Sequence, residues 1–228
     1  MALSHKETDT MFKVDFYEDR QGNQPVKVVL KDLRDKAKTS KDARIQYQKI
    51  LTFIRALEEY GTRIGEPTVK HIVDGIWELR PLAHRIFFFY WKENKFILLH
   101  HFIKKSQKTP PNEVDQARRN MQDFLERNDW VMANENSTSF SDFYNDDNNI
   151  SSTERAKIEF EVELIGKLVE LREAKGLTQA QLAEAAGVKQ SALARLEKLK
   201  ATPQIDTLFK LLTPMGYKLT IVPNEDRA

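Results

Sequence analysis

The sequence contains no cysteine among its 228 residues. A chain without cysteine cannot form disulfide bonds, thiolate zinc sites, cysteine-held iron–sulfur clusters or a thiol nucleophile. It also lacks a long hydrophobic run, because the longest one, 86–91, is far shorter than the roughly 20 residues of a membrane-spanning helix. The polar N-terminus lacks the apolar stretch of a signal peptide. We therefore expect a soluble, cytoplasmic protein with no membrane partner.

Positive and negative charges are unevenly distributed along the chain. Residues 1–131 carry 24 Lys and Arg against 19 Asp and Glu, whereas residues 132–154 carry five acids and no base. Apolar residues make up 40% of the sequence, which is enough for packed cores on both sides of the acidic segment. We expect a leader or tag at 1–10, a first domain at 11–131, an acidic linker or docking segment at 132–154, and a second domain at 155–228.

The first domain is predicted to have an α+β fold, with helices packed against one face of a small antiparallel sheet. Alternating apolar residues predict a strand near 12–17, and helical spacing predicts one helix from Pro25 and another over 41–60 with Ile45 on its buried face. A meander of strands follows from about residue 69 to residue 103, and a closing helix follows the two prolines at 110–111.

The acidic segment contains three aromatic residues at helical spacing. Phe140, Phe143 and Tyr144 stand at positions i, i+3 and i+4. They are either aromatic residues of a linker without further role, or one face of a short helix that docks on a partner surface.

The second domain is predicted to be all-helical, with a strand at its end. A long helix is expected from 158 to 175, and three short helices over 179–186, 190–199 and 205–212. Residues 217–222 alternate between apolar and polar side chains, which predicts a C-terminal strand. Such an edge strand offers a surface through which two copies of the chain pair as a homodimer.

The corner between the first two short helices is the most specific motif of the chain. Thr178 is placed to cap the first helix, and Gly187 allows a tight turn with Val188 filling the corner. This is the layout of a helix-turn-helix, in which the second helix enters the major groove of DNA. A bare helical hairpin is the structural alternative.

Over about residues 160–213 the sequence resembles the Xre/Cro-type helix-turn-helix family. The additional strand expected at the C-terminus resembles antitoxins of the HigA group. The match is carried by Gln179, Leu182, Ala183, Gly187, Val188, Leu193 and Glu197. The resemblance implies that operator DNA is the partner. It implies phosphate contacts by Gln179 and Lys189, and base contacts by Gln190, Ser191 and Arg195.

Basic residues of the first domain are concentrated on its strands. Residues 76–108 contain seven Lys and Arg against two Glu, Glu78 and Glu93. Although isolated basic residues usually form a solvated face, this concentration favours a phosphate-binding surface. The histidines are scattered, and no paired carboxylates or glycine-rich phosphate loop accompany them. We therefore expect no metal and no other cofactor.

A cationic surface can promote cleavage of RNA by its own 2′-hydroxyl, because it stabilises the crowded dianionic phosphorane and protonates the leaving oxygen. The stretch 75–81, Arg85, the aromatic strand to residue 90 and the stretch 98–110 strongly resemble the RelE/HigB toxin superfamily, in its phage-derived HigB-like branch. The resemblance covers about 12–127. It implies a RelE-like microbial RNase fold and a ribosome-dependent mRNA endonuclease, an mRNA interferase that acts on ribosome-bound mRNA.

The same resemblance implies the roles of single residues. Arg80 and Arg85 are expected to bind the scissile phosphate, and Lys104, Lys105 and Lys108 to hold flanking RNA or to act as acid and base. His101 is a further candidate. Because neighbouring residues of a strand point to opposite faces, the sequence does not choose between His100 and His101.

The leading interpretation is a toxin–antitoxin system in one chain: a metal-independent endoribonuclease neutralised by a DNA-binding antitoxin that represses the shared promoter. The toxin–antitoxin contact forms within one chain or between chains. The opposite charges of the acidic segment and of the strands suggest that the segment lies over or beside the RNA site. The alternative is a transcriptional regulator whose first domain is catalytically inert and binds a partner.

Overall fold

The computed structural model describes residues 12–105, 109–128 and 139–222. The chain divides into two compact units between Glu159 and Phe160, a few residues after the expected domain border. The expected leader at 1–10 lies outside the described residues. Within those residues, no helix is both long and apolar enough to span a membrane.

The first unit is built from a sheet and helices in the order that the sequence predicted. In chain order its elements are β1 (Lys13–Phe16), α1 (Pro25–Ala37), α2 (Lys41–Tyr60), a short 3-10 helix (Gly61–Ile64), β2 (Val69–Val73), β3 (Ile76–Leu79), β4 (His84–Trp91), β5 (Lys95–Ile103), α3 (Pro111–Asn128) and α4 (Phe140–Asn145).

The sheet is mixed, which corrects the prediction of an antiparallel sheet. The strand order is β1-β5-β4-β3-β2, and β2 to β5 form the expected antiparallel meander. The first strand, however, pairs in parallel with β5, and Phe16 lies opposite Leu98. Parallel neighbours need a long crossover connection, which the two helices and the meander between β1 and β5 supply.

Helices cover both faces of this sheet rather than one. Ala117 and Phe124 of α3 pack in one cluster with Phe87 and Phe89 of β4. On the opposite face, His84 of the same strand contacts α2. The prediction of a single covered face was wrong because β4 is an almost continuous apolar run, which is typical of a strand buried on both sides.

The long helix α2 begins and ends where the sequence predicted. Ser40 caps its start by accepting a hydrogen bond from the Ala43 amide, and Gly61 follows its last residue with a positive φ of 58°, which glycine adopts without strain. Ile45 was expected on the buried face but is 47% exposed. The rest of the predicted face, which includes Ile54, is buried, and Tyr47 belongs to it as well.

The second unit consists of helices arranged around a small core. The helix α5 (Ser152–Ala174) begins in the first unit and continues into the second. It is followed by α6 (Gln179–Ala185), α7 (Gln190–Glu197) and α8 (Ile205–Met215). Leu182, Leu193 and Leu211 are buried in this unit. Gly187 adopts φ of +63° at the corner between α6 and α7, as the motif requires, and Val188 is half-buried there.

The predicted C-terminal strand is wrong. Residues 217–222 have no regular secondary structure, and Ile221 is 99% exposed. A strand is stabilised by hydrogen bonds to a neighbouring strand. The described part of the second unit contains no other strand, so the alternating pattern has no partner with which to pair.

Candidate functional site

Two arginines lie together where β3 ends and β4 begins. Arg80 follows the last residue of β3, and Arg85 is the second residue of β4. Both side chains are mostly buried, with 17% and 13% exposure. Arg85 lies opposite Phe102, a member of the cluster that packs against α3, so the arginines belong to the α3 face of the sheet.

A fully buried glutamate lies between the two guanidinium groups. The Arg80 Nε donates a hydrogen bond to Glu78 Oε2 over 2.6 Å, and the Arg85 Nε is 3.9 Å from the same oxygen. The other carboxylate oxygen, Oε1, accepts a hydrogen bond from the Thr109 hydroxyl over 3.3 Å. One carboxylate therefore holds two cations, and the three side chains together carry a net charge of one positive unit.

The Arg85 guanidinium is also fixed by the turn between β3 and β4. Its Nη1 donates to the carbonyl oxygens of Leu82 and His84 over 2.9 and 2.7 Å. The Nε of Arg85 is buried and makes no hydrogen bond to any described residue. Burial lowers the pKa of Arg85, the neighbouring Arg80 lowers it further, and Glu78 opposes both effects. Charges in such partly buried sites interact more strongly with an anion than charges in bulk water.

The lysines at the end of β5 reach the same end of the sheet. The Lys104 amide donates to the Ala83 carbonyl oxygen over 2.9 Å, which ties the chain after β5 to the turn before β4. Lys104 is half-buried and Lys105 is exposed. Lys108, the third lysine expected there, lies outside the described residues. The fold therefore places the backbone of Lys104 at the same end of the sheet as Arg80 and Arg85.

His101 is not brought together with the arginines. It lies on the opposite face of the sheet, where its Nε2 is 2.8 Å from the Nδ1 of His84. The Nε2 of His84 is in turn 2.7 Å from the Gln46 amide oxygen of α2. Since an amide oxygen only accepts, His84 donates from Nε2 and accepts at Nδ1 from His101.

Both imidazoles of this pair are electrically neutral near pH 7. Burial, with smaller contributions from His84 and His100, lowers the pKa of His101 to about 3. Burial also lowers the pKa of His84. The pair lines a cavity of about 470 Å³ between the sheet and the α1–α2 helices, together with Gln46 and Ile103. A neutral His101 supplies no positive charge to a phosphate.

His100 is the histidine that shares the α3 face with the arginines. Its Nε2 is 2.7 Å from the Glu113 carboxylate, at the start of α3. His100 lies opposite Phe87, and the alternation along β4 places Phe87 on the same face as Arg85. The sequence did not show which of His100 and His101 lies on the side of the arginines, and the geometry of the strands places His100 there.

Sequence reasoning did not assign roles to the residues that hold these side chains. Glu78, Thr109 and Gln46 were not candidates, although each fixes a charged or polar group of the strands. One signal was present in the sequence. Glu78 and Arg80 are two residues apart, and the alternation of a strand that continues through both predicts that they point to the same side.

The aromatic residues of the acidic segment pack against the first unit. Phe140, Phe143 and Tyr144 are all buried, and both phenylalanine rings contact the Phe16 ring of β1 edge-on, with centroids 6.2 and 6.0 Å away. The Arg55 guanidinium of α2 lies over the Tyr144 ring at 5.9 Å. The short helix α4 is therefore docked on β1 and α2 of its own chain.

Polar contacts extend this docking toward α1 and α2. Asn149 accepts a hydrogen bond from Arg34 through its side chain and one from the Tyr47 hydroxyl through its carbonyl. Glu154 accepts from the Gln48 amide over 3.1 Å. The carboxylate of Asp147 pairs with Arg155, which lies just after the segment. No contact found among the described residues joins this segment to Arg80 or Arg85.

In the second unit, the first helix of the motif has the cap that the sequence predicted. The Thr178 hydroxyl accepts from the Gln181 amide, and the Gln181 side chain accepts from the Thr178 amide, which together form a capping box. Gln179, the first residue of α6, is thereby held at a fixed position. Its side chain is part of a chain of hydrogen bonds that continues to α7.

That chain starts at a buried ion pair. Arg172 of α5 binds the Glu197 carboxylate with two nitrogens, over 2.7 and 3.1 Å. Glu197 accepts from the Gln179 amide over 2.8 Å, and Gln179 accepts from Gln190 over 3.3 Å. The other candidates for DNA contact are exposed on or before α7, namely Lys189, Ser191 and Arg195. The α5 helix therefore orients the glutamines through Glu197.

Within the described residues, no group of three or more His, Cys, Asp or Glu side chains is placed to hold a metal ion.

Two families match the chain in separate parts. Residues 30–122 match the family described as Phage derived protein Gp49-like (DUF891), and residues 168–222 match the helix-turn-helix family. An "Uncharacterized HTH-type transcriptional regulator" of Haemophilus influenzae is 48% identical over 62 residues, which cover 27% of this chain. The chain spans 63% of the length of that relative.

Proposed function

Because the chain carries a Gp49-like domain of the HigB/RelE-like toxin family followed by an Xre-type helix-turn-helix, we propose that it is a toxin–antitoxin pair in one polypeptide. The first unit cleaves ribosome-bound mRNA, and the second binds operator DNA and represses the shared promoter. The observation that carries this proposal is the partly buried pair of Arg80 and Arg85 at the sheet end where Lys104 and Lys105 follow β5.

The proposed reaction needs only the RNA and side chains of the protein. The 2′-hydroxyl oxygen of the RNA attacks the adjacent phosphorus, and the 5′ oxygen leaves with a proton. The products are a 2′,3′-cyclic phosphate and a 5′-hydroxyl end. Arg80 and Arg85 stabilise the negative charge that develops on the phosphorane oxygens. Lys104, Lys105 and Lys108 hold the flanking RNA or exchange the protons.

His101 has no part in this proposed mechanism. It lies on the opposite face of the sheet from the arginines, and its pKa of about 3 leaves it neutral. His100 lies on the same face as Arg85 and is bound to Glu113. The histidine that contributes to RNA binding in this proposal is therefore His100.

The acidic segment is proposed to neutralise the toxin by docking within the same chain. Phe140, Phe143 and Tyr144 supply a buried aromatic surface, and exposed ion pairs add only about 0 to 1 kcal/mol each. The contacts of this segment lie on β1, α1 and α2, whereas the arginines lie on the α3 face. The described part of the segment, 139–154, makes no ion pair with the arginines, so neutralisation is proposed to act through its aromatic docking.

The second unit is proposed to read an operator through α7. Gln179 and Lys189 contact phosphates, and Gln190, Ser191 and Arg195 contact base edges in the major groove. One unit makes few phosphate contacts, so useful affinity requires two copies on a two-fold operator. Homodimerisation is part of this proposal, although the strand that was expected to mediate it is not formed.

Inducible expression in cells tests the toxin proposal. Residues 11–128 alone should arrest growth, and the full chain should be tolerated. The variant R80A/R85A should abolish the toxicity of residues 11–128. Its matched control is R118A/R119A, which removes two exposed arginines of α3 and should leave toxicity unchanged. Harmless residues 11–128 would contradict the toxin proposal, and equal toxicity of the two chains would contradict neutralisation.

A second function is favoured by the name of the relative and by the pairing of Arg80 with Glu78. In that case the chain is a transcriptional regulator, and its first unit is inert and binds a partner. Both proposals predict operator binding. Primer extension on ribosome-bound mRNA separates them, because only the first predicts new 5′ ends in the presence of residues 11–128.

A further inference from the structure

We propose that Glu78 is a positioning residue that sets both the geometry and the net charge of the arginine pair. This inference rests on the proposed RNA-binding function of the same site. Glu78 is fully buried and binds the Nε of Arg80 at 2.6 Å, while the Nε of Arg85 is 3.9 Å from the same oxygen.

Glu78 cannot act on the RNA directly. Its side chain has no exposed surface. One carboxylate oxygen is bound to Arg80, and the other accepts from the Thr109 hydroxyl. A carboxylate with both oxygens engaged and no access to solvent cannot take a proton from a 2′-hydroxyl, because a general base must be within hydrogen-bond reach of that proton.

The geometric role follows from which atoms are bound. Glu78 engages Arg80 through Nε, the nitrogen nearest the aliphatic stem, and no described residue makes a hydrogen bond to the terminal Nη atoms of Arg80. Arg85 is held by the carbonyl oxygens of Leu82 and His84. Anchoring a guanidinium at Nε fixes its plane and leaves its outer nitrogens available for two phosphate oxygens.

The electrostatic role follows from the counting of charges. Two guanidinium groups in a partly buried site repel each other, and the Glu78 carboxylate offsets one of the two charges. Thr109 links the same carboxylate to the chain that follows the lysines. The site therefore binds a phosphate with two oriented donor groups but with the net charge of only one.

Two variants of Glu78 separate these roles. Glu78→Gln keeps the shape and an oxygen that accepts from Arg80, but it removes the negative charge. Glu78→Asp keeps the charge, but it shortens the side chain by about 1.5 Å and withdraws the anchor from Arg80. Glu93→Gln, in the turn between β4 and β5, is the matched control because it removes an exposed negative charge from the same unit.

The measurement is the Kd of the full chain for a fluorescent single-stranded RNA of ten uridines, across a range of salt concentrations. E78Q should bind this RNA about 3- to 10-fold more tightly, with a salt slope steeper by about 0.7, since it adds one positive charge to the site. E78D should bind at least about threefold more weakly with an unchanged slope, because a shift of an angstrom misplaces the donors. E93Q should match the wild type.

Arg80→Ala distinguishes failure of this inference from failure of the proposed function. If R80A binds the RNA as tightly as the wild type, the surface is not the RNA site and the proposed function is contradicted. If R80A binds more weakly while E78Q and E78D both match the wild type, the positioning role is overturned. Equal weakening of E78Q and E78D, with a lower Tm in both, also overturns it, because a purely structural residue gives that result.

Discussion

At the scale of single residues, Glu58 lies buried in α2 with its carboxylate 3.0 Å from the Arg55 guanidinium. Burial raises the pKa of Glu58 to about 7, with Arg55 opposing the shift and Asp15 adding to it. The unfolded chain has the ordinary glutamate pKa of about 4.3. Between these two values, the folded protein retains a proton that the unfolded chain has released.

The sign of the pH dependence follows from this difference. As pH rises from about 4 to about 7, the free energy of unfolding should fall, because the folded state must give up a proton that it binds more tightly. Glu58→Gln removes this dependence. Relative to the wild type, E58Q should gain about 3 kcal/mol between pH 5 and pH 8, as measured by urea unfolding. E93Q, an exposed glutamate variant, should show no such gain.

Glu197 is the buried residue on which the orientation of Gln179 depends. Replacing it with alanine leaves the buried Arg172 with only the exposed Glu173 as a charge partner, and the loss of one partner of a buried pair costs about 3 to 5 kcal/mol. We expect E197A to lower the free energy of unfolding of the second unit by about that amount and to weaken operator binding. The exposed Glu184 provides the control, and E184A should change stability by less than about 0.5 kcal/mol.

Chemical denaturation followed by a gel-shift titration checks the Glu197 prediction. A variant that is as stable as the wild type would show that the ion pair with Arg172 is not needed. The contacts of Glu197 with Arg172 and Gln179 could not be predicted from the sequence, because each joins residues that are far apart in the chain. The cap by Thr178 was predictable, since both of its partners lie within one helical turn.

At the scale of elements, α4 shows how a pattern of three residues becomes a docking helix. Its six residues are too few to be stable alone in water, so the helix depends on the contacts of Phe140 and Phe143 with Phe16. The spacing of the aromatic residues predicted the helix as one of two interpretations. The surface that receives it was not predictable, because Phe16 is separated from it by more than a hundred residues of chain.

Truncation of Phe143 should release α4 without unfolding the sheet. Phe→Ala at a buried site costs about 3 to 5 kcal/mol. Hydrogen exchange of the amides in 139–150 should therefore become at least about a hundredfold faster in F143A, while the amides of β4 keep their protection. Val28→Ala, at an exposed position of α1, is the control and should leave exchange unchanged. Unchanged exchange of α4 in F143A would contradict the docking account.

The wrong predictions of strands have one cause, which is that a strand depends on a neighbouring strand that the local sequence does not identify. The pattern at 217–222 is that of a strand, but alternation alone supplies no neighbour for the backbone. The parallel pairing of β1 with β5 was missed for the related reason that a strand's partner lies far away in the sequence. The meander from β2 to β5 was predictable, because each strand pairs with the next through a short turn.

At the scale of the whole molecule, the residues proposed to bind RNA and those proposed to bind DNA belong to different units. Arg80 and Arg85 belong to the first, and Arg195 belongs to the second. The two activities should therefore be separable. R80A/R85A should leave the Kd for operator DNA within about twofold, whereas R195A should raise that Kd about tenfold and relax the preference for one base. Gel-shift titration of the full chain checks both results.

Charge arithmetic along the sequence located the arginine pair better than it located the position of the acidic segment. The excess of basic residues over 76–108 includes Arg80 and Arg85, which the fold does bring together. The opposite charge of the acidic segment suggested that it lies over them. The described part of that segment instead docks through aromatic rings on β1, since burial of large apolar surfaces stabilises more than exposed ion pairs do.

The most direct test of the central claim is primer extension on ribosome-bound mRNA incubated with residues 11–128. We predict new 5′ ends within the ribosome-bound codon for this fragment and for its R118A/R119A variant, and none for R80A/R85A, without added divalent metal beyond what the ribosome needs. Cleavage that persists in R80A/R85A, or the absence of cleavage by the unaltered fragment when it is folded, would contradict the account.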